Sequence, residues 1–171
     1  MDLVICSFDD ACTRARGFDA VISIESPGAT ALTGRLDRFR EPGEPAHQVL
    51  CFYDIEDPAQ PSAPERRHVE AGLDFARAHA TRRLLIHCFA GVSRSTALAY
   101  AILVERHGRA GDERAMLDRL LVLRPQACPN RLMVRYADAL LGCEGRMIQA
   151  VEDHPVICET RRRNFSPPVA T

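Results

Sequence analysis

Leu84-Leu85-Ile86-His87-Cys88-Phe89-Ala90-Gly91-Val92-Ser93-Arg94-Ser95 is the stretch on which the fold turns. An apolar run of strand type leads straight into a cysteine. An arginine follows six residues later, and an Ala-, Leu- and Ile-rich run of helical type begins at once. This order predicts backbone N–H groups closing round an anion, next to a helix N-terminus and a guanidinium: a cradle for a phosphate dianion. Cys88 opens that cradle, where a thiolate is stabilised and can attack phosphorus in line. Gly91 falls mid-loop, where a side chain would obstruct a tight turn or inward-facing N–H groups. Ser93 and Ser95 flank Arg94 at the strand-to-helix junction and can cap or hydrogen-bond the loop, and Ser95 can donate to the Cys88 sulfur. His87 can fix the loop through its ring nitrogens.

The run from His87 to Ser95 resembles the phosphate-binding loop of the protein tyrosine phosphatase superfamily. Its Ser93-Arg94-Ser95-Thr96 ending is most similar to the dual-specificity-like branch and its small bacterial relatives. A looser likeness covers most of the chain, through Cys51-Phe52-Tyr53-Asp54-Ile55 before the loop and Arg124-Pro125 and Pro129-Asn130 after it. Carried over by position, the resemblance makes Cys88 the nucleophile, Arg94 the bidentate phosphate clamp and Ser95 the hydroxyl that assists thiolate departure. Phe89, Ala90, Gly91, Val92, Ser93 and Arg94 line the phosphate.

Cleaving a phosphate ester needs a proton for the leaving oxygen, and returning water to phosphorus needs a base; one carboxyl group can serve both. The resemblance implies an aspartate well upstream of the cysteine. Asp54 and Asp57 lie in that region, with Glu56 between them. Asp54 is preferred, because it is read as ending the Val49–Tyr53 strand at the rim of the sheet; Asp57, next to Pro58, is the alternative. His47, His68, His79, His107 and His154 share no spacing and read as surface or structural residues. Asp112, Glu113 and Asp118 read as a helix start and a solvent face.

With 171 residues one domain with a real core is expected. The 22 basic and 23 acidic side chains leave a net charge of -1, which argues against a nucleic-acid groove. No apolar run approaches the roughly twenty residues of a membrane span. Met1 opens a strand-like segment without a signal peptide's layout, so a cytoplasmic protein with no membrane insertion is expected. Cys6, Cys12, Cys51, Cys88, Cys128, Cys143 and Cys158 show neither CxxC pairing nor a histidine cluster. No metal or cofactor is expected, and most of these thiols read as small core hydrophobes.

Strands are predicted over 2–7, 20–24, 48–54 and 84–88, a Pro-, Gly- and charge-rich loop over 33–46, and a broken polar segment over 57–64. Helices are predicted from Glu65, over 95–106, from Asp112 to the Arg124-Pro125 stop, and from an Asn130 cap to Gly142. Together they indicate a single α/β domain over 1–152, with a central, mainly parallel sheet flanked by helices in the cysteine phosphatase fold, and a tail over 153–171.

The function expected is hydrolysis of a phosphomonoester, phosphotyrosine on a protein and also phosphoserine or phosphothreonine, through a cysteinyl-phosphate. A small-molecule or phosphoinositide substrate is the runner-up; Phe89, Ala90 and Val92 put no basic side chain inside the loop. A silent phosphate-binding module, and a thioltransferase or redox sensor using Cys88, are the other classes. Cys51 is the expected disulfide partner of oxidised Cys88, on the reading that their strands are neighbours. Oligomeric state is not legible in these residues.

Overall fold

The computed structural model describes residues 2–165 apart from 40, 81 and 109. Four strands, β1 (Leu3–Cys6), β2 (Ala20–Glu25), β3 (Ala46–Cys51) and β4 (Leu84–His87), lie in the order β1-β4-β2-β3, parallel at every pairing. β4 therefore runs inside the sheet, with Leu3–Cys6 in register on one side and Ala20–Ser23 on the other. All four of its residues are buried, which is why it reads as a continuous apolar run rather than an alternating one. Leu84 and Ile86 face one core with Ile5, Ile22 and Ile24. Leu85 faces the opposite cluster with Cys6, Phe8 and Val21.

The second face is covered by α1 (Phe8–Arg14) and a following 3-10 turn over Ala15–Gly17. Ser7 caps α1 by accepting from the Asp10 N–H at 3.2 Å. The helix is invisible to periodicity, because its 7 residues complete only about two turns. The main face carries α2 (Arg66–Ala78), α3 (Arg94–His107), α4 (Glu113–Leu123), α5 (Arg131–Leu141) and α6 (Arg146–Glu152). α3 is buried from Arg94 to Val104, as its apolar composition predicts for a helix enclosed on all sides. Gly72 lets α2 approach it: a Cβ there would stand 2.7 Å from Leu98 Cδ1. Asn130 caps α5 by accepting from the Met133 N–H at 3.0 Å, and Gly142 ends it at φ 67°.

Three local readings change. β3 stops at Cys51, because the Phe52 N–H completes the pairing to Glu25 O and the Tyr53 N–H turns to Ser62 O at 2.8 Å; Asp54 sits on the loop beyond the strand, not at its end. The segment read as a tail from Asp153 contains a seventh helix, α7 (Pro155–Phe165), seated by the buried Ile157 and Thr160. Its Arg161-Arg162-Arg163 run disguises so narrow an apolar seam; Pro167 and Pro168 lie outside the described residues. Glu113, read as a helix-start decoration, is buried and paired with Arg146 at 2.8 Å. Among the described residues no helix is long and apolar enough to cross a membrane.

Candidate active site

Residues 88–95 join the carboxyl end of β4 to the first turn of α3, and the scaffold holds their carbonyls one after another. Phe89 O accepts from the Phe8 N–H at 2.9 Å. Ala90 O and Gly91 O accept from the Arg124 guanidinium at 3.2 and 2.9 Å. Val92 O takes the Cys128 N–H at 2.8 Å and the Thr96 hydroxyl at 2.5 Å. Ser93 O takes the Thr96 hydroxyl and the Ala97 N–H at 2.8 and 2.9 Å. Five successive carbonyls are thus committed to the protein body. Among the described residues none of the N–H groups at 89–93 donates to a backbone carbonyl. Such a ring of donors beside a helix start is an anion-binding concavity.

Gly91 is required twice over. Its φ is +69°, and a Cβ would lie 2.5 Å from the Cys6 carbonyl carbon and oxygen, so the loop closes directly onto the end of β1. Cys88 is buried, and its Sγ stands 3.2 Å from Ser95 Oγ, which is itself fully buried. Arg94 is also buried. Its Nη1 donates to Phe52 O at 2.7 Å and to Ser26 Oγ at 3.2 Å, and the Nε–Nη2 edge has the geometry to grip two oxygens of an anion. Nε is buried and makes no hydrogen bond in the structure.

Asp54 reaches this loop. Its Oδ1 accepts from Ser93 Oγ at 2.7 Å and Asn130 Nδ2 at 2.8 Å, and its Oδ2 lies 4.0 Å from Arg94 Nε. Ser93 therefore spends its hydroxyl on Asp54, although it occupies the N-cap position of α3. Asp57 is engaged in its own turn, with Oδ1 accepting from the Ala59 N–H at 3.0 Å.

Known proteins share part of this sequence and its fold. No family model matches the chain. Mouse dual specificity protein phosphatase 15 is 31% identical over 94 residues, covering 53% of this chain and 38% of that protein, so the match spans well under half of the relative's length. The human tyrosine phosphatase-like serine/threonine/tyrosine-interacting protein superposes with a TM-score of 0.65 at 19% identity, covering 83% of this chain and 92% of that one. PTPMT1 in complex with PI(5)P gives 0.63 at 14% identity, covering 87% and 93%. The chain has the fold of these tyrosine phosphatase-like structures, a single α/β domain with a central parallel sheet.

Around the loop 88–95 the structure also places residues whose roles the sequence concealed. Arg124, read as part of an Arg-Pro helix stop and of the looser family likeness, is the clamp on the Ala90 and Gly91 carbonyls. Asn130, legible as a cap, uses its other amide atom to hold Asp54 and Ile55 O. His87 Nε2 meets Ser23 Oγ at 2.7 Å, and the same hydroxyl meets His47 Nε2 at 2.7 Å. Burial, first of all, pushes both imidazoles down to about 4. His68 stacks on Phe52 at 4.7 Å and accepts the Glu65 N–H, bracing α2 against the residue that anchors Arg94.

The expected pairing of Cys51 with Cys88 does not survive. β2 lies between β3 and β4, and Cys51 is exposed on the outer strand. Cys6, on the strand that does neighbour β4, belongs to the core cluster on the opposite face from Cys88, and burial pushes its thiol up to about 12. Cys128 and Cys143 are buried as expected of core thiols, whereas Cys12 is exposed.

Proposed function

We propose that this chain is a phosphomonoester hydrolase acting on phosphotyrosine in proteins, and on phosphoserine or phosphothreonine as well, through a cysteinyl-phosphate. The observation that carries the reading is the commitment of the five loop carbonyls to the protein body beside the buried Cys88 and Arg94, with none of the N–H groups at 89–93 donating to a backbone carbonyl. The equatorial oxygens are held there by these N–H groups and the Arg94 fork. Cys88 Sγ forms the new bond to phosphorus as the bond to the leaving oxygen breaks, and Asp54 gives that oxygen its proton. Asp54 then takes a proton from water as the water oxygen attacks phosphorus. The sulfur departs as thiolate, assisted by the Ser95 hydroxyl 3.2 Å away.

Asp54 is favoured as the acid because it alone of the two aspartates is seen bonded to the loop, and because its Oδ2 remains to carry the proton while Oδ1 is held. The interior of the loop offers Phe89, Ala90 and Val92 rather than cationic side chains, which favours a protein monoester over a polyphosphorylated lipid headgroup. The exposed rings of Phe89 and Tyr53 provide apolar surface for an aryl ester. A cytoplasmic location belongs to this reading, supported by seven free thiols.

Phosphate release from p-nitrophenyl phosphate and from matched phosphotyrosine, phosphoserine and phosphothreonine peptides tests it. Turnover that disappears in Cys88→Ser, with peptide binding retained, is expected. Binding without turnover by the unaltered protein would make it a phosphate-recognition module instead.

A further inference from the structure

The loop between β3 and α2, which carries Asp54 and Asp57, is gripped at Glu56 by two helices distant in sequence. Glu56 Oε1 accepts the Arg131 backbone N–H at 2.9 Å, at the start of α5, and Oε2 accepts Arg131 Nε at 2.7 Å. Arg161 Nη1 reaches the same two oxygens at 3.1 and 3.3 Å from α7, across 105 residues of sequence. Its Nη2 donates to Pro129 O at 3.1 Å, tying the helix to the segment that bears Asn130. Asn130 in turn holds Asp54 Oδ1 and Ile55 O. Arg131, Arg161 and Glu56 share the wall of a cavity of about 320 Å3 with Asp54, Ser93 and Cys128. The grip thus lies beside the phosphate loop.

This cluster differs from a solvated ion pair. The Glu56 and Arg161 side chains are only 26% and 24% exposed, and the carboxylate is met by two guanidinium groups and a backbone N–H. Fork-to-carboxylate bonds in that setting fix geometry as well as adding energy. Burial pushes the Glu56 carboxyl up, but the Arg131 hydrogen bonds and the Arg161 charge outweigh it and hold the group below its ordinary range. Glu56 is therefore an ionised anchor.

We propose that Glu56 is the positioning residue of the acid-bearing loop, and that α7, through Arg161, sets the proton-transfer half of the reaction while leaving phosphate capture to residues 88–95. The assignment rests on the phosphatase reading above. A proton donor works only within hydrogen-bond reach of the leaving oxygen, and a misplacement of about 1 Å can cost on the order of 100-fold. Glu56 lies two residues from Asp54 and one from Asp57, so its anchorage constrains either aspartate.

Leaving-group dependence separates this role from a general loss of structure. p-Nitrophenolate departs readily without a proton, whereas phenolate needs one. Full-length wild type, Glu56→Gln, Arg161→Gln and Arg161→Lys are assayed on both aryl phosphates, with Asp54→Asn and Asp57→Asn as references. Glu56→Gln and Arg161→Gln are expected to lose roughly tenfold more kcat/KM on phenyl phosphate than on p-nitrophenyl phosphate, a fraction of the 10²–10⁴ a positioned acid supplies. Arg161→Lys should recover part of the difference. Inhibition by inorganic phosphate should change by less than about twofold, since the loop contacts are untouched. Amide hydrogen exchange supplies a second readout: faster exchange over 52–64 in Arg161→Gln, with 88–95 unchanged, is expected. Equal losses on the two esters, or unchanged exchange over 52–64, would overturn the proposal while the reaction assignment stands. Absence of Cys88-dependent turnover in wild type would overturn both.

Discussion

Arg94 has two tasks that a single lysine cannot share. One edge of its guanidinium is spent on Phe52 O and Ser26 Oγ, and in the proposed reaction the other holds the phosphate. Arg94→Lys keeps the charge but must give up either the anchor or the fork. It is expected to lower kcat/KM at least about 100-fold, the scale of losing a transition-state donor, with little change in urea midpoint; near-wild-type steady-state kinetics would place Arg94 outside the chemistry. Asp54→Asn is an informative neighbour. Its remaining carbonyl oxygen can still accept from Ser93 and Asn130, so the loop stays ordered while the proton donor is gone. The expected loss is about 10²- to 10⁴-fold in kcat on phenyl phosphate. Asp57→Asn should lose much less. The reverse ranking would move the acid role to Asp57 without touching Cys88 or Arg94.

Among elements, the close approach of loop 88–95 to β1 is the tightest constraint. Gly91→Ala would need a side chain at φ +69° and a methyl 2.5 Å from the Cys6 carbonyl. A strained φ alone costs on the order of 1–3 kcal/mol, so chemical denaturation should show at least about 2 kcal/mol of destabilisation, accompanied by loss of phosphate release as the N–H ring opens. Wild-type stability in that variant would mean that the loop and β1 separate more easily than the backbone contact implies. Asn130 links elements differently, capping α5 with one amide atom and holding Asp54 and Ile55 with the other. Asn130→Asp preserves the cap acceptor but places a second carboxylate against Asp54. Activity should therefore fall far more than the roughly 1 kcal/mol typical of a lost cap would predict; a parallel fall in stability and activity would reduce Asn130 to a helix cap.

Across the whole molecule, the His47–Ser23–His87 chain ties β3, β2 and β4 together through a single hydroxyl. Both rings stay neutral in the folded protein down to about 4, whereas the unfolded chain takes up protons near 6.5. The unfolded state therefore binds more protons between those values, and this contribution to stability is complete above about 6.5 and lost as pH falls toward 4. For fully buried His87 it is on the order of 3 kcal/mol. Urea unfolding at about pH 7 and about pH 5 should show the decline, with a smaller slope in His47→Gln; a flat profile would show that the rings protonate in place.

How far the chain could be read follows from the range of the interactions involved. Residues 84–95 carried their strand, loop and helix openly, because a doubly buried strand, a positive-φ glycine and a cap-rich junction are local requirements. The Asn130 cap and the Gly142 stop were equally local, as was the composition of the enclosed α3. The sequence alone therefore determined the strand–loop–helix unit over 84–95 that carries Cys88 and Arg94, and the α/β alternation that frames it. It did not determine the order of the strands. Cys51 reads as a neighbour of Cys88 until β2 is seen between their strands, since no periodicity within β3 records which edge it joins. Arg124 gripping Gly91, Asn130 gripping Asp54 and Arg161 gripping Glu56 lie 33, 76 and 105 residues apart. Each such side chain looks locally like a helix end, a cap or a charged tail, and only packing brings its donors within hydrogen-bond reach of the loops they hold.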